Sequence, residues 1–164
     1  MRQNRLKIRI ISVGKLKETF YNDGVQEYVK RLRPYVNIEL LDGLEEKSFS
    51  KTGKEEITRQ MDKEAERILK LLDMEETLAV LDSKGQQLSS EQLALQIQKW
   101  RLNGKSRINF VIGSAFGLSE MIKKRADFHL SISPLTFPHQ MAALILTEQI
   151  YRSYKILTGE PYHH

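Results

Sequence analysis

Five short apolar runs, each followed by a helix-length or loop segment, limit what this chain can fold into. Leu6 to Val13, Val36 to Leu41, Thr77 to Asp82, Ile108 to Ile112 and Phe128 to Ile132 read as strands. Thr77 to Asp82 is almost continuously apolar rather than alternating, the pattern of a strand covered on both faces. Between the runs lie helical patterns. One extends from about Glu18 to Arg33, with Tyr21, Val25, Tyr28 and Leu32 on one face and Pro34 as its stop. Another covers Lys54 to Leu72, turning Ile57, Met61, Ala65, Ile68 and Leu72 inward. Ser89 and Gln92 form a capping-box pattern for a helix reaching Leu102, which Asn103 and Gly104 end. A short helix near Glu120 to Arg125 follows, and a last one runs from about Pro138 to Thr158, with Gly159 past its end. Asp42 to Gly53 reads as a polar loop, and Ser83-Lys84-Gly85 as a turn out of the third strand. Strands alternating with helices predict an α/β fold with a parallel-rich central sheet and helices on both faces.

At 164 residues the chain fits a single domain over 1–164, without repeats or linkers. The absence of cysteine excludes disulfides, thiolate metal sites and cysteine nucleophiles. The first residues are basic, but the apolar run behind them is too short and broken for a signal peptide. No segment approaches the roughly 20 apolar residues that span a bilayer, so a cytoplasmic protein without membrane contact is expected. The net charge of +5 is unevenly spread. Residues 1–41 hold nine Lys/Arg against four Asp/Glu, residues 42–82 seven against twelve, and residues 83–164 ten against five. A polyanion would approach the two basic ends rather than the acidic middle.

Several chemistries are struck out by their missing motifs. No G-x-G-x-x-G follows the first strand, where Ser12-Val13-Gly14-Lys15-Leu16-Lys17 stands instead, and no phosphate-cradling G-x-x-x-x-G-K-[ST] occurs. No G-x-S-x-G nucleophile elbow is present. His129, His139, His163 and His164 lack metal-ligand spacing, apart from the adjacent terminal pair, so no metal is expected. What remains is a pair of strand-end loops: Gly113-Ser114-Ala115-Phe116-Gly117, and Ser133-Pro134-Leu135-Thr136-Phe137-Pro138-His139-Gln140. Loops of this kind wrap a nucleotide-like ligand with backbone groups, which suits a cationic cofactor better than a phosphorylated one.

These segments carry a resemblance. Val111-Ile112-Gly113-Ser114-Ala115-Phe116-Gly117-Leu118, the Ser133 to Gln140 run and Glu148-Gln149-Ile150-Tyr151-Arg152 resemble the SPOUT methyltransferases of the RlmH type. So do the opening Ser12 to Lys17 and the ending Gly159-Glu160-Pro161-Tyr162-His163. The likeness covers the chain from Leu6 onward. One departure is Ser114, where family members carry a second glycine. A left-handed backbone there would strain the loop, whereas an ordinary φ would leave it intact.

The resemblance implies an enzyme that transfers methyl from S-adenosylmethionine to N3 of a pseudouridine in helix 69 of 23S rRNA, on the assembled 70S ribosome. It also implies a homodimer and a C-terminal trefoil knot, which no periodicity argument predicts. Carried over by position, the cofactor pocket would comprise Leu81, Gly113, Ile132, Ser133, Pro134, Leu135, Thr136 and Phe137. The residue types suit that role. Gly113 lets backbone approach the ligand, and Leu81, Ile132, Leu135 and Phe137 are apolar walls for adenine.

The pseudouridine N3 proton must leave, so a base is wanted. His163, held beside Tyr162, is the first candidate; His139 is the second, although a helix N-terminus suits a loop-orienting role better. Glu148 and Arg152 stand at i, i+4, as a helical ion pair or as a carboxylate that positions an arginine for cofactor or RNA phosphate. Met141 to Leu146 is apolar all round and predicts burial on every side, as core of a monomer or, as the resemblance implies, in a two-fold dimer contact. Arg2, Arg5, Lys15, Lys17 and Lys30 of the second subunit would then hold rRNA. Two alternatives stay open: a related SPOUT enzyme acting on tRNA, and a non-catalytic RNA- or ribosome-binding protein, which would share the basic ends and fold but would not need Gly113 or the Thr136 loop.

Overall fold

The computed structural model describes residues 5–45 and 53–162. The elements, in order, are β1 (Lys7–Ser12), α1 (Thr19–Leu32), β2 (Asn37–Leu41), α2 (Lys54–Leu71), β3 (Thr77–Gln87), α3 (Ser90–Leu102), β4 (Arg107–Ile112), α4 (Glu120–Arg125), β5 (Phe128–Ser131) and α5 (His139–Thr158). The five strands form one sheet in the order β2-β1-β4-β3-β5, with every pairing parallel. The expected α/β architecture is therefore the one found.

Period-two alternation along the strands feeds two cores. Ile8, Ile10, Ile108, Phe110, Ile112 and Ala79 face α1, α3 and α5, where Val25, Leu32, Ile97, Ala143, Leu146 and Ile150 meet them. Ile11, Leu78, Val80 and Val111 point the other way, onto Ala65 and Ile68 of α2 and Ile122 of α4. Both faces are covered, which is why the strands read as apolar runs. On the α2 side Arg9 is buried, with its Nε 3.1 Å from Glu39 and an N–H donating to the Leu71 carbonyl at 3.0 Å. Gly24 lets α1 and α5 approach closely: a Cβ there would stand 2.8 Å from the Leu144 side chain.

Helix ends follow their local chemistry. The Ser89 hydroxyl accepts from the Gln92 N–H, and the Gln92 side chain accepts from the Ser89 N–H, a complete capping box. Gly159 closes α5 in the left-handed conformation at φ 69°. Pro138 is the N-cap of α5 rather than its first residue, since its extended backbone (ψ 144°) lies outside the helix. The inward stripe of α2 differs from the apolar reading. Gln60 and Glu64 are buried beside Ala65 and Ile68, while Ile57 and Met61 are half-buried.

The largest departure is in β3. Ser83-Lys84-Gly85 is not a turn away from the sheet. Both Leu81 and Gln86 pair with Leu130, so residues 82–85 form an excursion that returns to β5. Gly85 is required by that return, because a Cβ there would stand 2.6 Å from the His129 carbonyl oxygen.

Candidate cofactor cleft and the helix α5 cluster

In an open parallel sheet, ligands bind beyond the carboxyl ends of the strands. Here the excursion within β3 and the segments leaving β4 and β5 enclose a cleft of about 820 Å³, within the roughly 300–1,000 Å³ range of small-molecule sites. Each wall has a local cause. After β4, the Gly117 N–H donates to the Ser114 carbonyl at 2.9 Å, closing a tight turn that Gly117 completes at φ 87°. Gly113 sits against that turn, where a Cβ would lie 2.7 Å from the Gly117 carbonyl carbon and oxygen. The glycine is thus demanded by its own loop. Ser114 has no positive φ, so the family departure leaves this backbone unstrained.

After β5, the Ser131 hydroxyl lies 3.1 Å from the carbonyls of both Ser83 and Ser133, tying the β3 excursion to the following loop. The Leu135 N–H donates to the Ser133 hydroxyl, turning the chain so that Leu135 stands 71% exposed at the rim. Leu81, Gly113, Ile132, Ser133, Leu135, Thr136 and Phe137 all line the cleft; Pro134 does not. The cleft is mostly neutral, with apolar Leu81, Leu130, Ile132, Leu135 and Phe137 beside backbone from the two loops. Those residues fit a nucleoside carrying a sulfonium: flat apolar walls for a purine, backbone polar groups for its edges, and no phosphate-binding motif.

His139 also lines the cleft, at the start of α5. Its Nε2 is 3.2 Å from the Lys15 carbonyl, which can only accept, so this nitrogen carries the proton. The ring packs on Gly14, where a Cβ would be 2.6 Å from Nε2. His139 therefore pins the loop after β1 to the head of α5. Nearby, the Gln140 side chain accepts from the Glu18 N–H at 2.8 Å.

Glu148, Arg152 and Tyr162 come together elsewhere. Glu148 lies nine residues along α5 from His139, about 14 Å at the helical rise. Its Oε1 accepts from Arg152 at 2.6 and 3.0 Å and from the Tyr162 hydroxyl at 3.1 Å; its Oε2 accepts from Gln149 at 2.7 Å. The Arg152 guanidinium covers the Tyr162 ring at 4.8 Å, and that ring packs edge-on to Tyr151. The Glu148 hydrogen bond raises the Arg152 pKa further, so the guanidinium stays charged. Burial, hydrogen bonding with Tyr28 and the Glu148 charge push the Tyr162 phenol well above its ordinary range, which makes it a donor rather than a base. His163 lies outside the described residues, as does Arg2.

The structure thus divides the expected residues into a cleft set and an α5 set. Asp82, Lys84 and Lys123 line the cleft but were not singled out by sequence. Only a charged residue directly after an apolar strand signalled Asp82, and nothing local signalled Lys123. Among the described residues no group of three or more His, Asp or Glu is placed to hold a metal ion, and no helix is long and apolar enough to cross a membrane.

Comparison with known proteins follows this geometry. Residues 6–163 match the family model described as a predicted SPOUT methyltransferase. A protein of Syntrophomonas wolfei named ribosomal RNA large subunit methyltransferase H is 57% identical over 158 residues, covering 96% of this chain and 99% of the relative. Proteins of the same name from Acetivibrio thermocellus and Halothermothrix orenii are 43% and 44% identical over the same shares. The solved structure of a probable methylase family protein from Haemophilus influenzae Rd KW20 matches with a TM-score of 0.53 at 14% identity, covering 100% of this chain and 72% of that one. At that identity the likeness speaks for the fold.

Proposed function

The chain belongs to the SPOUT methyltransferase family, and on that premise we propose that it methylates ribosomal RNA with S-adenosylmethionine as donor. The finer reading is N3 of a pseudouridine in helix 69 of 23S rRNA, methylated on the assembled 70S ribosome by a homodimer in the cytoplasm. The observation that carries the proposal is the mostly neutral, glycine-turned cleft between the β3 excursion and the ends of β4 and β5. The names of relatives that share nearly the full length support its RNA substrate. The family's C-terminal trefoil knot belongs to the same reading.

When bound, the cofactor supplies a sulfonium methyl that needs alignment more than activation. Leu81, Ile132, Leu135 and Phe137 would hold the adenosine, and the loops of Gly113 to Gly117 and Ser133 to Phe137 would exclude water around it. Removing the N3 proton falls to a group outside the α5 ion pair, because Arg152 stays charged and Tyr162 stays protonated. His163 is proposed for that role. Arg152, fixed by Glu148, would grip an RNA phosphate or the developing anion of the base. The distance of this cluster from the cleft on its own chain supports a composite site, with α5 of one subunit serving the cleft of its partner.

The test is incubation of the protein with labelled S-adenosylmethionine and either 70S ribosomes, free rRNA or tRNA, followed by mass spectrometry of the nucleosides. The expected product is N3-methylpseudouridine from 23S rRNA of the ribosome sample. Label found only in tRNA would favour the tRNA-directed relative, and no label with no cofactor binding would leave a ribosome-binding protein. Light scattering showing a monomer at micromolar concentration would remove the composite site.

A further inference from the structure

The cleft holds one region of charge, and it carries both signs. Among its described lining residues Asp82 is the carboxylate, and Lys84 and Lys123 are the ammonium groups. Asp82 and Lys84 come from the β3 excursion and Lys123 from α4. Asp82 is held in place. Its Oδ1 accepts from the Lys84 N–H at 3.0 Å, and its Oδ2 lies 3.5 Å from Nδ1 of His129. His129 Nε2 in turn lies 3.1 Å from the Lys123 carbonyl, so one imidazole couples the excursion, β5 and α4. The Lys84 backbone hydrogen bond, aided by His129 and the Lys123 charge, holds the Asp82 carboxyl below its ordinary pKa, so it is ionised at neutral pH. Lys123 is paired at 3.6 Å with Glu120, whose side chain is 79% exposed. Exposed pairs of this kind are weak, and the ammonium exchanges partners readily.

A ligand that fills the cleft therefore meets a neutral region of apolar side chains and backbone, and beside it a fixed carboxylate, Asp82, that feels the Lys123 charge, with Lys84 on the same lining. We propose that this charged wall is a subsite for a zwitterionic α-amino acid tail, with Asp82 taking the ammonium and Lys123 taking the carboxylate. The inference rests on reading the cleft as the S-adenosylmethionine site, since donor and product both carry such a tail. It assigns recognition of the amino-acid part of the cofactor to the excursion of β3 and the end of α4, apart from the glycine loops that surround the nucleoside.

The test uses two ligands that differ only by the tail: S-adenosylhomocysteine and methylthioadenosine, titrated calorimetrically into the full chain. Wild type should bind the first at least about tenfold more tightly, about 1.4 kcal/mol. Asp82→Asn and Lys123→Met should each shrink that ratio severalfold, while methylthioadenosine affinity stays within about twofold and so reports an intact cleft. Equal binding of the two ligands by wild type would overturn the subsite alone. So would an unchanged ratio in both variants, or a parallel loss of both ligands, which would make the wall scaffold. If Lys123→Met weakened rRNA binding at an unchanged ratio, the lysine would belong to RNA phosphate and the proposal would fall. Failure of wild type to bind either nucleoside would overturn the cofactor reading with it.

Discussion

The cleft and the α5 cluster are made of different material. The cleft is shaped by backbone: the turn closed by Gly117, the Gly113 contact with that turn, and the Ser131 bridge between two strand-end segments. The α5 cluster is shaped by side chains, with one carboxylate, Glu148, accepting from Arg152, Tyr162 and Gln149. A backbone site tolerates changes of side-chain chemistry but not added volume. A side-chain site tolerates changes of volume at its edge but not lost charge. Substitutions in the two regions should therefore fail in different ways.

The largest effect is expected at Gly113. Gly113→Ala places a methyl 2.7 Å from the Gly117 backbone, and relief requires the loop to move. Stability should fall by about 1–3 kcal/mol and cofactor affinity by about a hundredfold or more, measured by thermal unfolding and calorimetry. Normal affinity in this variant would break the claim that backbone packing shapes the cleft.

Arg152→Ala tests the other side. It removes a pair whose side chains are 22% and 17% exposed and leaves Glu148 only neutral donors among the contacts given above. Methylation should drop in kcat/KM by about a hundredfold, the size of a lost charge-assisted contact, with cofactor affinity within about twofold. An equal fall in both quantities would merge the two regions into one.

His139→Gln sharpens the boundary, since His139 touches the cleft yet holds the Lys15 carbonyl. Methylation within about tenfold of wild type is expected. Loss of a general base costs roughly 10²–10⁴, so a fall of that size would move His139 into the chemistry.

The smallest effect is at the anchor of the tail. Glu160 accepts from Lys155, Tyr35 and Thr158, and these contacts, Lys155 first, lower its pKa from 4.5 to about 2. A depressed carboxyl adds stability above its unfolded pKa and loses it as pH falls toward the folded one. Glu160→Gln should thus melt of the order of one degree lower at neutral pH, with the difference vanishing between about pH 4.5 and 2. A constant difference across that window would remove the carboxylate from the account.

Much of this was legible in residue order. Ser89 with Gln92 announced a capping box, Pro34 and Gly159 announced helix ends, and Gly113 and Gly117 marked a tight loop, because each acts on backbone within a few residues. The β3 excursion was misread as a turn because Gly85 serves a contact with His129, 44 positions away in the chain. Pro134 was carried over by resemblance with the cofactor residues, but it does not line the cleft, whose wall there is Ser133, Leu135, Thr136 and Phe137.

By itself, then, the amino-acid order determined the alternation of strands and helices, the double burial of the strands and most element ends. All are consequences of periodicity and local hydrogen bonding. Tertiary structure alone decided the order β2-β1-β4-β3-β5, which gathers the β3 excursion and the ends of β4 and β5 into one cleft and brings Lys123 near Asp82. Parallel strands pair across long intervening segments, and the energy that selects one neighbour over another resides in packed helices on both faces, not in any short stretch of chain.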